Sequence, residues 1–128
     1  MNDKMIIFED ESICVIDKPY GVIVNNAESV KSETIQTWFE KKLDIRNWKL
    51  ESEFAKKGGV VHRLDKDTSG VMVLAKTEGA YEALKTQFLE RTTKKTYLAL
   101  VHGKMSQTSG IISAPIDRHP IDKRKFYV

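Results

Sequence analysis

The feature that most constrains this chain is a nine-residue polar segment set between two apolar runs. Val60-Val61 and Val71–Ala75 read as strand, and His62-Arg63-Leu64-Asp65-Lys66-Asp67-Thr68-Ser69-Gly70 stands between them. β-Branched flanks favour a pleated, half-buried surface. The segment they enclose carries two carboxylates, a guanidinium, an imidazole and two hydroxyls, and it reads as a charged loop. Gly58-Gly59 opens this stretch.

The other elements are placed around it. Met5–Glu9 and Ile13–Asp17 are short apolar runs separated by Asp10-Glu11-Ser12, which predicts a hairpin. Lys18-Pro19-Tyr20-Gly21 punctuates, and Val22–Val24 resumes an extended run. Ser32 is the expected cap of a first helix, in which Ile35, Trp38, Phe39 and Lys42/Leu43 recur at helical spacing. Asp44–Lys57 reads mostly as loop. Thr77 is the expected cap of a second helix with Tyr81, Leu84, Phe88 and Leu89 on one face. Thr96–His102 alternates, with Tyr97, Ala99 and Val101 on one side and Leu98, Leu100 and His102 on the other. Gly103–Gly110 is rich in turn residues, and Ile111–Ile116 reads as a further strand. The pattern predicts an α+β fold: a mixed, largely antiparallel sheet with two helices.

Composition removes several function classes. A chain of 128 residues, 41% apolar and 30% charged, has the make-up of a single globular domain. No stretch approaches the roughly 18 consecutive apolar residues of a membrane helix, and the acidic start MNDKMIIFEDE does not read as a secretory signal. With Cys14 as the single cysteine no internal disulfide forms, which suits a reducing cytoplasm. Charge is divided unevenly. Residues 1–50 hold 7 Lys/Arg against 9 Asp/Glu, whereas residues 51–128 hold 14 against 9. A positive second half attracts a phosphate backbone or merely solvates the surface.

Three chemistries compete for the charged loop. Asp65-x-Asp67-x-Ser69-Gly70 matches the opening of a calcium-binding EF-hand loop, but the twelfth position is Lys76 where a bidentate Glu is required. Calcium is therefore rejected. A polar turn, with Asp and Ser side chains bonded to nearby N–H groups, is the structural alternative. The third reading is catalysis. A carboxylate ionised at neutral pH suits a nucleophile or a stabiliser of cationic sugar character. Arg63 and Asp65, two apart, face one cleft if the backbone is extended there.

At this loop the chain resembles the RluA family of pseudouridine synthases, whose signature is H-R-L-D-x-x-T-S-G. His62, Arg63, Leu64, Asp65, Thr68, Ser69 and Gly70 all match. Asp17-Lys18-Pro19-x-Gly21 is similar to the family's N-K-P-x-G segment, with Asp17 in place of Asn. Gln87-Phe88-x-x-Arg91 resembles the end of the following helix. Lys95-x-Tyr97-Leu98-Ala99-Leu100-Val101-x-Gly103 resembles the strand that carries an active-site tyrosine. Arg118-His119-Pro120-x-Asp122, with Lys123–Lys125, resembles a loop near the RNA. The likeness runs from about Ile6 to Val128. The family's G-R-x-H-Q-I-R segment, which supplies an arginine partner for the aspartate, has no counterpart here. Residues 1–128 are therefore expected to be the N-terminal portion of the catalytic domain, as a fragment or as a short form whose second half comes from elsewhere.

The resemblance implies an intramolecular transferase that isomerises uridine to pseudouridine in rRNA or tRNA, in the cytoplasm and without a metal or organic cofactor. Asp65 would act at the sugar, as nucleophile or as the base of a glycal route, and Tyr97 would stack on the uracil. Arg63 would fill the gap left by a flipped uridine. His62, Lys18, Arg118, Lys123, Arg124 and Lys125 complete the expected substrate and RNA contacts, the phosphate contacts positioning RNA without reading it. His62, His102, His119 and Cys14 lack metal-ligand spacing. An RNA-binding module without chemistry and a carboxylate-dependent hydrolase are the competing classes, and hydrolysis ordinarily needs a second placed carboxylate.

Overall fold

A computed structural model describes residues 1–44, 51–122 and 125–127. The chain divides into two units, Met1–Lys95 and Thr96–Val128. In the first, β1 (Ile6–Glu9), β2 (Ile13–Lys18) and β3 (Gly70–Ala75) form an antiparallel sheet in that order. The predicted hairpin between β1 and β2 is present. Its turn is fixed by Asp10, whose Oδ1 accepts from the N–H groups of Ser12 and Ile13, each at 2.7 Å.

Among the described residues three α-helices accompany the sheet: α1 (Ile35–Lys42), α2 (Glu53–Lys56) and α3 (Glu78–Leu89). The architecture is α+β, with one more helix than the two expected. Helix α1 is capped by Thr34, not Ser32: the Thr34 backbone is extended and its Oγ1 accepts from Thr37 N–H at 3.0 Å. Within the stretch expected as loop, Ser52 caps the single turn of α2, and residues 45–50 lie outside the described residues. Thr77 caps α3 as predicted. Tyr81 is buried and Leu84 partly so, but Leu89 is exposed and leaves the expected face.

Alternation in the strands builds the core. Cys14 and Ile16 from β2, with Met72 and Leu74 from β3, meet Ile35, Trp38 and Phe39 of α1. Each large apolar side chain so buried contributes roughly 1.5–3 kcal/mol. Phe54, Ala75 and Tyr81 form a smaller cluster that joins α2 and α3 to the sheet. Gly59, at φ +74°, allows the close crossing here. A Cβ on it would lie 2.3 Å from the Ala75 carbonyl oxygen.

Three expected strands are shorter or absent. Val60-Val61 contributes a single bridge, Val60 to Leu74. Thr96–His102 and Ile111–Ile116 are irregular and exposed, since no strand among the described residues pairs with them. The second unit instead carries a two-stranded hairpin, β4 (Asp117–Arg118) with β5 (Phe126–Tyr127). The basic segment expected as a loop near RNA is thus flanked by paired strands.

Candidate functional site

The alternation that places Cys14 and Ile16 inside places Lys18 inside too, at the end of β2 opposite Gly70. Lys18 is fully buried, and its ammonium donates to the carbonyls of Pro19 at 2.9 Å, Val22 at 2.8 Å and Lys66 at 3.1 Å. An ammonium has three donors, and all are used. The expected phosphate contact through Lys18 is therefore corrected: the side chain is an internal clamp. Burial lowers the Lys18 pKa, and the Asp67 and Asp65 carboxylates act in the opposite direction.

The clamp holds the polar loop at one point. Lys66 C=O also accepts from Gly21 N–H at 2.9 Å, and Gly21 makes that turn at φ +79°. Asp65 C=O accepts from Thr68 N–H at 3.1 Å, closing the turn that follows. Leu64 packs against the main core cluster, whereas Arg63 and Asp65 on either side of it are exposed. The two side chains expected to face one cleft do line one together.

That cleft has a volume of about 350 Å³, and Val24, Asn25, Asn26 and Val30 stand in its wall with Arg63 and Asp65. The wall is fastened to the start of α1. Ile35 N–H and Gln36 N–H, two donors without intrahelical partners, donate to the carbonyls of Ile23 at 3.0 Å and Val24 at 2.9 Å. Asn26 N–H donates to Gln36 Oε1 at 3.1 Å, and the Asn26 side chain bonds the hydroxyls of Thr34 and Thr37. Gln36 is itself buried and donates to Glu40 and to the Lys56 carbonyl. Asn25 and Asn26 were not among the expected site residues. Their signal is two adjacent amides directly after the apolar run Val22–Val24.

The other loop anchor is His62. Its Nε2 accepts from Val73 N–H at 3.0 Å, and its ring stacks on Phe88 of α3 at 4.5 Å. Burial pushes the imidazole pKa down to about 4, with a smaller contribution from the Lys95 ammonium. His62 is thus half-buried and neutral near pH 7, with Nε2 committed to the Val73 amide.

The remaining expected residues lie in the second unit. Tyr97 is exposed and belongs to no strand. Arg118 sits on β4 with its guanidinium 5.1 Å from the Phe126 ring centre. Lys125 is exposed and 3.9 Å from the Asp122 carboxylate. Lys123 and Arg124 fall outside the described residues.

The arrangement is a cleft with one carboxylate and one guanidinium on a loop held at both ends. Among the described residues no group of three or more His, Cys, Asp and Glu side chains is placed to hold a metal. Comparison with known proteins identifies the family. A family model described as RNA pseudouridylate synthase matches residues 12–127. An RNA pseudouridine synthase of Aquifex aeolicus is 41% identical over 96% of this chain. The ribosomal large subunit pseudouridine synthase D of Nitrosomonas europaea is 40% identical over 96% of it. The ribosomal large subunit pseudouridine synthase C of Vibrio parahaemolyticus is 32% identical over 94% of it. The chain spans 38%, 34% and 35% of the lengths of these three relatives, respectively. With that match extending from β2 to β5 and covering the polar loop, the chain belongs to the RNA pseudouridylate synthase family.

Proposed function

We propose that this protein isomerises uridine to pseudouridine in RNA in the cytoplasm, with Asp65 as the catalytic carboxylate. The observation that supports it best is the cleft: Asp65 is exposed there beside Arg63, on a loop whose backbone is fixed by Lys18, Gly21 and His62. A reacting group held this way loses little freedom when substrate arrives.

The N1–C1′ bond of the uridine breaks, the uracil turns, and a C5–C1′ bond forms. C5 loses its proton and N1 gains one, so the product is an isomer and no co-reactant is consumed. Asp65 acts either by attacking C1′ or by removing the C2′ proton to open a glycal route. In both it works as the anion. Arg63, pointing into the same cleft, fills the space vacated by the flipped base, a step costing a few kcal/mol. Tyr97 stacks on the uracil, and Arg118, Lys123, Arg124 and Lys125 contact phosphates. The reading gives residues 1–128 the part of the catalytic domain that carries Asp65.

The names of two relatives point to large-subunit ribosomal RNA, with tRNA as the other substrate class. Tritium release from RNA containing 5-tritiated uridine tests the proposal with transcripts of both kinds. Release accompanied by pseudouridine in the digested product is expected from one class. RNA that is bound without tritium release from either class rejects the enzymatic reading and leaves a binding module.

A further inference from the structure

The outer edge of β3 shows why the loop leaves the sheet where it does. Lys76 N–H donates to Ser12 on the β2 side, whereas Ala75 N–H donates to Gly59 C=O on the opposite side at 2.9 Å. Amides two apart in a strand point the same way, so Val73 N–H also faces outward. Val60 bridges to Leu74, and a strand continuing in this register would offer the Val61 carbonyl to Val73 N–H. The ladder does not continue. Val73 N–H is received instead by His62 Nε2 at 3.0 Å.

We propose that His62 is a positioning residue: its imidazole replaces a strand carbonyl at the edge of β3, and this substitution lets Arg63, Leu64 and Asp65 leave the ladder for the cleft. The proposal rests on the reading of Asp65 as the catalytic carboxylate. A side chain that accepts this bond keeps the β3 edge satisfied while the backbone turns away. The ring plane is set by α3, since Phe88 stacks on it with 20° between planes and Lys95 Nζ lies 5.1 Å from the Phe88 ring centre. The polar loop is then held at His62 by a side chain and at Lys66 by its carbonyl, with Asp65 between them. A cation at His62 has no lone pair to offer, so the role needs the neutral ring. Burial, which pushes the imidazole down to about 4, supplies that state.

Accepting at Nε2 requires the ring proton on Nδ1. Nitrogen-15 spectra of the protein at pH 7 are expected to show His62 protonated at Nδ1, with a coupling across the bond to the Val73 amide. A proton on Nε2 would overturn the proposal. Kinetics with RNA give the second arm. Gln retains an uncharged acceptor near the Nε2 position, and Leu has none. His62→Leu is expected to lower kcat by roughly 10²-fold with KM within about twofold, and His62→Gln to restore kcat to within roughly fivefold of wild type. Equal kcat in wild type and both variants would overturn the positioning role. So would weakened RNA binding in both variants with kcat unchanged, which would make His62 an RNA contact. Asp65→Asn measured alongside separates the two claims: if it retained turnover, the Asp65 reading would fall and the positioning role with it, while the spectra would still report the β3-edge bond by itself.

Discussion

The two units of this chain contain similar sequence patterns and treat them differently. In Met1–Lys95, Cys14 and Ile16 alternate along β2, Met72 and Leu74 alternate along β3, and all four are fully buried. In Thr96–Val128 the alternation of Thr96–His102 is equally regular, yet no strand forms there and Leu98 and Leu100 are fully exposed. Alternation describes two faces. It becomes a strand only when backbone N–H and C=O groups find partners and one face finds cover. β2 has partners on both sides, β1 and β3, whereas 96–102 has none among the described residues. The first unit therefore satisfies its alternating strands within itself, whereas the pattern of 96–102 is left unpaired among the described residues.

Substitutions that test this difference fall in a clear order. Phe39→Ala, in the centre of the main cluster, is expected to destabilise the protein by about 3–5 kcal/mol in denaturant unfolding. Lys18→Met keeps an unbranched chain one atom shorter and leaves the carbonyls of Pro19, Val22 and Lys66 without their shared donor. A loss of about 2–4 kcal/mol is expected, because unsatisfied buried acceptors are costly. A loss under about 0.5 kcal/mol would show that Lys18 is a surface cation after all.

A pH-dependent effect comes from His62. Its folded pKa, about 4, lies below the ordinary 6.5, so between those values the unfolded chain binds a proton that the native protein does not. This contribution is fully present above about pH 6.5, declines as pH falls, and is exhausted near pH 4. His62→Gln removes the titration. The difference in stability between wild type and the variant should narrow across that window, whereas a difference that does not vary with pH would contradict the buried neutral ring. Smallest of all is Leu100→Ser in the second unit, expected within about 0.5 kcal/mol. A loss comparable to that of Phe39→Ala would mean that Leu100 is buried in solution and the contrast between the units is wrong.

The sequence discloses its local rules more readily than its partnerships. The hairpin turn at Asp10, the Thr77 cap and the core face of α1 all follow from side chains acting within a few residues. The cap of α1 was harder, because Ser32 and Thr34 are both good caps and the choice depends on where the carbonyls of Ile23 and Val24 receive the first helical amides. Lys18 was legible in principle, since it shares parity with the buried Cys14 and Ile16. Its charge suggested an outward role, and the three carbonyls that satisfy it come from turns whose geometry no local pattern specifies. His62 posed the same difficulty. An imidazole in a polar loop looks like a site residue, and only the Val73 amide 11 positions away shows that it also ends a sheet edge. Arg63 and Asp65 share one cleft as expected, but Leu64 and Lys66 line it too, so the whole local stretch, and not alternation alone, brings them there.

The central claim, that the residue presented by this held loop performs the chemistry, is tested most directly by Asp65→Asn in the active protein. The amide keeps the shape of the carboxyl group but not its charge. Turnover of saturating 5-tritiated RNA should fall by at least roughly 10³-fold, about 4 kcal/mol of barrier, with the dissociation constant for RNA changed less than about twofold. Turnover within about tenfold of wild type, less than about 1.4 kcal/mol, would contradict the account and remove Asp65 from the reaction.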